Sequence, residues 1–88
     1  MIIEPINEAG DHATGGIFGV TVANITKALG FKSNCKDDPS KVVNSWGFTA
    51  DGKRCGIWDY KGSQKYKSFS TFGPREVFVE LFGADHVE

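Results

Sequence analysis

Residues 45–74 read SWGFTADGKRCGIWDYKGSQKYKSFSTFGP, and the Asp51-Gly52 pair within them decides the fold. Asp-Gly between two runs of aromatic and β-branched residues is a strong hairpin signal, because both central turn residues need positive φ. Counting out from a two-residue loop sets Ala50 against Lys53, Phe48 against Cys55, Gly47 against Gly56, Trp46 against Ile57 and Ser45 against Trp58. Side chains alternate across a strand, so Trp46, Phe48, Cys55 and Ile57 share one face. That face is apolar and belongs on a core. The other face carries Ser45, Gly47, Thr49, Arg54, Gly56, Trp58 and Tyr60.

Lys61-Gly62-Ser63-Gln64 reads as a turn, and Lys65 to Phe72 alternates polar and aromatic residues as a third strand. One residue of slip would swap its faces, and the preferred register puts Phe69 on the core side with Ile57. Asp59 falls at the core-facing end of the sheet opposite Asn44. A buried carboxylate must be paired, so it is expected to bond Asn44 or backbone amides.

Outward from this meander, residues 1–19 read as a short N-terminal edge strand (MIIEPI, limited by Pro5) followed by a loop. Residues 21–30 read as a helix. Thr21 is its N-cap, Val22, Ile25, Ala28 and Leu29 are its apolar face, Lys27 suits its last turn, and Gly30 ends it. Residues 38–44 suit either a short second helix or the start of the first strand. Residues 74–83 read as a helix with Pro74 at its first position and Val77, Phe78, Leu81 and Phe82 inward, and 84–88 as a frayed tail. The expected fold is α+β in one domain: a three-stranded antiparallel meander with two helices, in the order α-β-β-β-α.

The chain has 88 residues, 40% hydrophobic and 24% charged, with net charge −1. Such a chain buries only about 60–65% of its unfolded surface, so a homo-oligomer is expected. No apolar run reaches membrane-spanning length, and no basic region precedes an apolar stretch at the N-terminus, which points away from membranes and secretory signals. Cys35 and Cys55 fit no CxxC pattern and read as reduced thiols, Cys55 buried.

Charge is uneven. Residues 53–75 hold Lys53, Arg54, Lys61, Lys65, Lys67 and Arg75 against Asp59 alone, while acids dominate both ends. Basic residues interleaved with rings suit a small anionic ligand. A net charge near zero argues against long nucleic acid, where many phosphate contacts dominate affinity.

Opposed glycines at 47 and 56 leave bare backbone between Arg54 and the rings of Trp58 and Tyr60. Glycine inside a strand often marks a close approach to the backbone. The functional reading is a floor on which a planar group lies. The structural reading is that the chain covers its own glycines. In the functional reading Trp58 or Tyr60 stacks on a base, Arg54, Lys61 and Lys67 neutralise phosphate, and Gly62 and Ser63 donate hydrogen bonds. Ser45 lies on the same face. Ser70, Thr71 and Arg75, where the last helix begins, form a second candidate anion site.

Other chemistry is thinner. Glu8, Asp11 and His12 lack metal-ligand spacing, and no metal or cofactor is expected. Asp59 with Lys61, or Cys55 as a nucleophile, would need a histidine that the neighbouring sequence lacks, so no enzyme is expected.

The segments Ser45-Trp46-x-Phe48, Asp51-Gly52, Ile57-Trp58-Asp59-Tyr60-Lys61-Gly62-Ser63 and Ser70-Thr71-Phe72-Gly73 resemble a pattern carried by small bacteriophage-encoded proteins, over roughly residues 41–83. The resemblance implies a phage protein acting in the host cytoplasm. By analogy it implies an anti-defence role: sequestering a small nucleotide-like or phosphorylated signal, or inhibiting a host defence protein in the manner of an anti-CRISPR. A winged-helix DNA-binding module is a further alternative, in which PSKVVNS (39–45) would be the recognition helix.

Overall fold

The computed structural model describes residues 1–8, 12–35, 42–60 and 68–88. Asp51 and Gly52 have φ of 51° and 83°, the doubly positive turn that the Asp-Gly pair favours. It joins strand β3 (Val42–Ala50) to β4 (Lys53–Tyr60). The ladder runs Ala50↔Lys53, Phe48↔Cys55, Gly47↔Gly56, Trp46↔Ile57 and Ser45↔Trp58, the register counted from the turn. Strand β5 (Ser68–Phe72) pairs with β4 through Ile57↔Thr71, which turns Phe69 to the core as preferred. Residues 65–67 of the expected third strand lie outside the described residues.

The sheet has five strands, not three. Strand β1 (Ile3–Pro5) pairs with β3 at one edge, and β2 (Gly15–Phe18) pairs with β5 at the other, giving the order β1-β3-β4-β5-β2. The β2 segment was expected to be loop. Its sequence is GGIF, with only Ile17 facing the core, and so it shows no two-residue rhythm to read. Asp51 serves β1 as well as its own turn: its carboxylate accepts from Ile2 N at 2.7 Å, and its N–H donates to Ile2 O.

Helix α1 (Val22–Leu29) opens with a reciprocal cap, Asn24 N donating to Thr21 Oγ1 and Thr21 N to Asn24 Oδ1, and closes on left-handed Gly30. Ile25 and Leu29 are buried, but Val22 is 38% exposed, so the apolar face is narrower than expected. Helix α2 (Arg75–Phe82) buries Val77 and Phe78, with Pro74 at the cap position rather than the first helical one. Both helices contribute to the same buried cluster as Trp46, Phe48, Ile57 and Phe69. One face of the sheet therefore lies under two helices, with Phe48 edge-on to Phe78 and Trp46 edge-on to Phe69.

The tail is docked rather than frayed. After a 3₁₀ turn (Ala84–His86), Val87 is buried and bridges Ile17, and Glu88 N donates to Gly16 O. This satisfies backbone groups along β2 that an outer strand would otherwise leave to water. At the other side, β3 begins at Val42, so residues 42–45 of the supposed recognition helix are strand. That removes most of the helix on which the winged-module reading depended.

Candidate functional site

The second face of the sheet is covered by the chain itself. Two short segments, 6–8 and 33–35, lie across Ser45 and Gly47. Ser45 O accepts from Ser33 Oγ at 2.9 Å and from the amides of Asn34 and Cys35, both at 3.1 Å. The Asn34 side chain ties the segments together: its Nδ2 donates to Ile6 O and Gly47 O, and its Oδ1 accepts from Gly47 N. A Cβ on Gly47 would sit 2.7 Å from Cys35 Sγ and closer still to the Glu8 carbonyl. The close approach that the glycine signals is thus made by the protein's own backbone.

This corrects the expected docking floor. Trp58 is 4% exposed, packed with Cys35 and Phe72, and His12 stands edge-on to Phe72 at 5.7 Å. Ser45 is 2% exposed. Neither offers an open surface to a planar ligand. Arg54 is exposed but pairs with Glu8 at 2.7 Å. Lys61, Gly62, Ser63 and Lys67 lie outside the described residues, as does the side chain of Tyr60.

The second expected anion site is also divided. Ser70 and Thr71 alternate across β5, so Thr71 is buried on the helix side while Ser70, opposite Trp58 on β4, takes the other. Arg75 directs Nε to Glu88 O at 3.2 Å and Nη2 to Val87 O at 3.5 Å, holding the tail. Thr71 and Arg75 meet at a cavity of about 80 Å3 shared with Thr14, Gly73 and Glu88. That is well below the roughly 300 Å3 at which organic-ligand pockets begin.

The space of ligand size lies elsewhere, beside α1. A groove of about 800 Å3 is walled by Val22, Ala23, Thr26 and Lys27 on the helix and by Lys32, Ser33 and Asn44 across from it. The four helix residues fall on one side of α1, a step round from Ile25 and Leu29. Gly30, with φ of 89°, reverses the chain and carries Lys32 and Ser33 back along the helix. Ser33 is fixed by Ser45, whose N–H donates to its hydroxyl at 2.8 Å.

Asn44 is fixed by Asp59. A bulge breaks the β3–β4 ladder between Val42 and Ser45, and the freed Asn44 N–H donates to Asp59 Oδ1 at 2.6 Å. The side-chain Nδ2 donates to Asp59 Oδ2 at 3.1 Å. Asp59 is wholly buried, and its pairing with Asn44 is the one expected from the register. The wall made by Val22 and Ala23 is apolar. Among the described residues the Lys27 and Lys32 ammonium groups form no ion pair.

The sequence alone does not mark these groove residues as a site. In the sequence Lys27 suits the helix dipole and Asn44 the partnership with Asp59, and only the fold brings helix, turn and strand end together. A local clue did exist: Val22 is an apolar residue at the rim of its helix face, and neither lysine has an acid three or four places away.

Neither Cys35 nor Cys55 is in a disulfide, and the two lie on opposite faces of the sheet. Cys55 is on the helix side, and burial pushes its pKa up to about 11. Cys35 rests on Trp58, with Sγ 3.6 Å from Ile6 O. Among the described residues no three His, Cys, Asp or Glu side chains group as metal ligands, and no helix is long and apolar enough to cross a membrane. The fold and groove define the class: a small α+β domain with an open, ligand-sized groove beside one helix. No family model matches the chain, and no curated protein or solved structure matches it.

Proposed function

We propose that the protein is a non-catalytic binding domain for a small anion with a flat, largely apolar body, such as a nucleotide. The ligand lies in the groove beside α1 instead of on the second face of the sheet. One observation carries this reading: Lys27 and Lys32, which form no ion pair among the described residues, stand at a groove of about 800 Å3 whose helix wall is apolar at Val22 and Ala23. The volume is that of small-molecule sites, and an apolar wall with few polar groups is their usual lining. Capture of a signal molecule in an infected cell would make this an anti-defence protein of the host cytoplasm. That setting rests on the resemblance to phage proteins alone.

Calorimetric titration of the full chain with mono- and cyclic nucleotides tests the reading. Uptake of at least one is expected, in a ratio that also reports whether a homo-oligomer shares the ligand. The Lys27→Glu/Lys32→Glu double variant should lose it with an unchanged melting temperature. No uptake at millimolar concentration would reject the groove as a site.

A protein–protein inhibitor is the second reading. It is favoured by Met1 and Ile2, which are 42% and 67% exposed beside the outer strand β1. Retention of a host protein that Ile2→Glu abolishes, while Lys27→Glu/Lys32→Glu does not, would favour it over the groove.

A further inference from the structure

We infer that Asp59 is a positioning residue that orients the Asn44 amide, so that the groove selects anions whose flat body also carries an N–H or O–H donor. The inference rests on the groove reading and adds a selectivity to it. An amide side chain has one donating and one accepting end, and the environment decides which end points where. Here the environment is Asp59. Both of its carboxylate oxygens accept from Asn44, Oδ1 from the backbone N–H and Oδ2 from Nδ2. A flipped amide would set its carbonyl oxygen against that buried carboxylate, a repulsion that nearby water cannot relieve because Asp59 is wholly buried.

The amide is therefore held with Nδ2 toward Asp59 and Oδ1 away from it. Asn44 itself is only partly buried and forms part of the groove wall. Among the described residues its Oδ1 accepts no hydrogen bond. Of the other polar groups on the groove wall, the Thr26 hydroxyl can turn to donate or to accept, and the rest are spent or of the opposite kind. Ser33 Oγ donates to Ser45 O and accepts from Ser45 N, and the two lysines can only donate. The groove thus offers cations to an anionic group and a fixed acceptor to a donor, and a ligand satisfying both must carry both.

Two probes that differ by one donor test this: adenosine 5′-monophosphate, and purine riboside 5′-monophosphate, which lacks the exocyclic amino group. Calorimetry on the full wild-type chain should show the first binding about tenfold tighter, the scale of one hydrogen bond in a half-buried site. Asn44→Ala should bring the two affinities within about twofold of each other while the second probe binds as before. Asp59→Asn frees the amide to turn and should have the same effect. A purely structural role would weaken both probes together.

If Asp59→Asn fails to fold, Asn44→Ala decides the matter, since it keeps the backbone N–H that Asp59 accepts. Equal wild-type affinities would overturn the selectivity and leave the groove reading standing. Discrimination surviving in Asn44→Ala would also overturn it. Binding of neither probe would remove the groove reading and this inference with it.

Discussion

Gly47 shows how far a single residue can be read. A glycine inside a strand reports that something comes close to the backbone, and something does. The sequence carries no mark of whether the visitor is a ligand or the chain's own Glu8, 39 residues earlier. The exposure of Trp58 is illegible for the same reason, although its face and register are as counted. An aromatic on a mixed strand face is open or covered depending on distant loops, and residues 6–8 and 33–35 have no periodicity announcing that they fold back. Cys55 was legible, because its position follows from the hairpin register alone. Its chemistry follows in turn. Burial favours the neutral thiol, raising the pKa from 9.0 to about 11 in the folded chain. Below pH 9 both states hold the proton, and the thiol adds no pH dependence to stability. Between 9 and 11 the unfolded chain releases it first, so unfolding is favoured as pH rises. Urea titrations across that window should show Cys55→Ala losing stability less steeply with pH than wild type. In native conditions a thiol reagent should modify Cys35 well before Cys55.

At the scale of elements, what the sequence revealed depended on whether the deciding signal was local. The Asp51-Gly52 turn fixed β3 against β4 from Ala50↔Lys53 to Ser45↔Trp58, and the Thr21 cap with Gly30 bounded α1, because each signal directly adjoins in sequence the element it controls. Strand β2 and the docked tail were missed because their partners are far off: Ile17 pairs with Phe69 and bridges Val87. A four-residue strand with two glycines carries almost no propensity of its own, and only its neighbours make it a strand. The tail is then part of the core. Val87 is 8% exposed, so Val87→Ala should cost about 2 kcal/mol in chemical denaturation, where a frayed end would cost nothing measurable. Arg75, which holds the Val87 and Glu88 carbonyls, should matter in the same assay through the tail and not through any bound anion.

For the whole molecule, the sheet is covered on both sides by different means. Two helices shield the Trp46 face, while the two short segments shield part of the Trp58 face through the Asn34 bridges and the Arg54–Glu8 pair. The groove beside α1 was illegible for a related reason: it exists only where a helix, a reversed turn and a strand end converge, and none of the three looks like a site alone. The second covering is the thinner one, so it should open first. Gly47→Ala tests this, because the added methyl would collide with the Glu8 carbonyl and Cys35 Sγ while leaving the helix side untouched. Overpacking of this kind costs about 1–3 kcal/mol, and shifting segments 6–8 and 33–35 is the cheapest way to relieve it. In wild type neither tryptophan should be quenched appreciably by iodide, with Trp46 at 0% and Trp58 at 4% exposure. In Gly47→Ala one of the two should become quenchable, and the added Trp58→Phe substitution should abolish that quenching. Cys35 should react faster with a thiol reagent in the same variant. If the Gly47→Ala chain stays folded and its indoles remain shielded, the two segments are held by more than the contacts at Gly47. If Trp46 is quenched as well, the disturbance has crossed the sheet, and the two coverings are not independent.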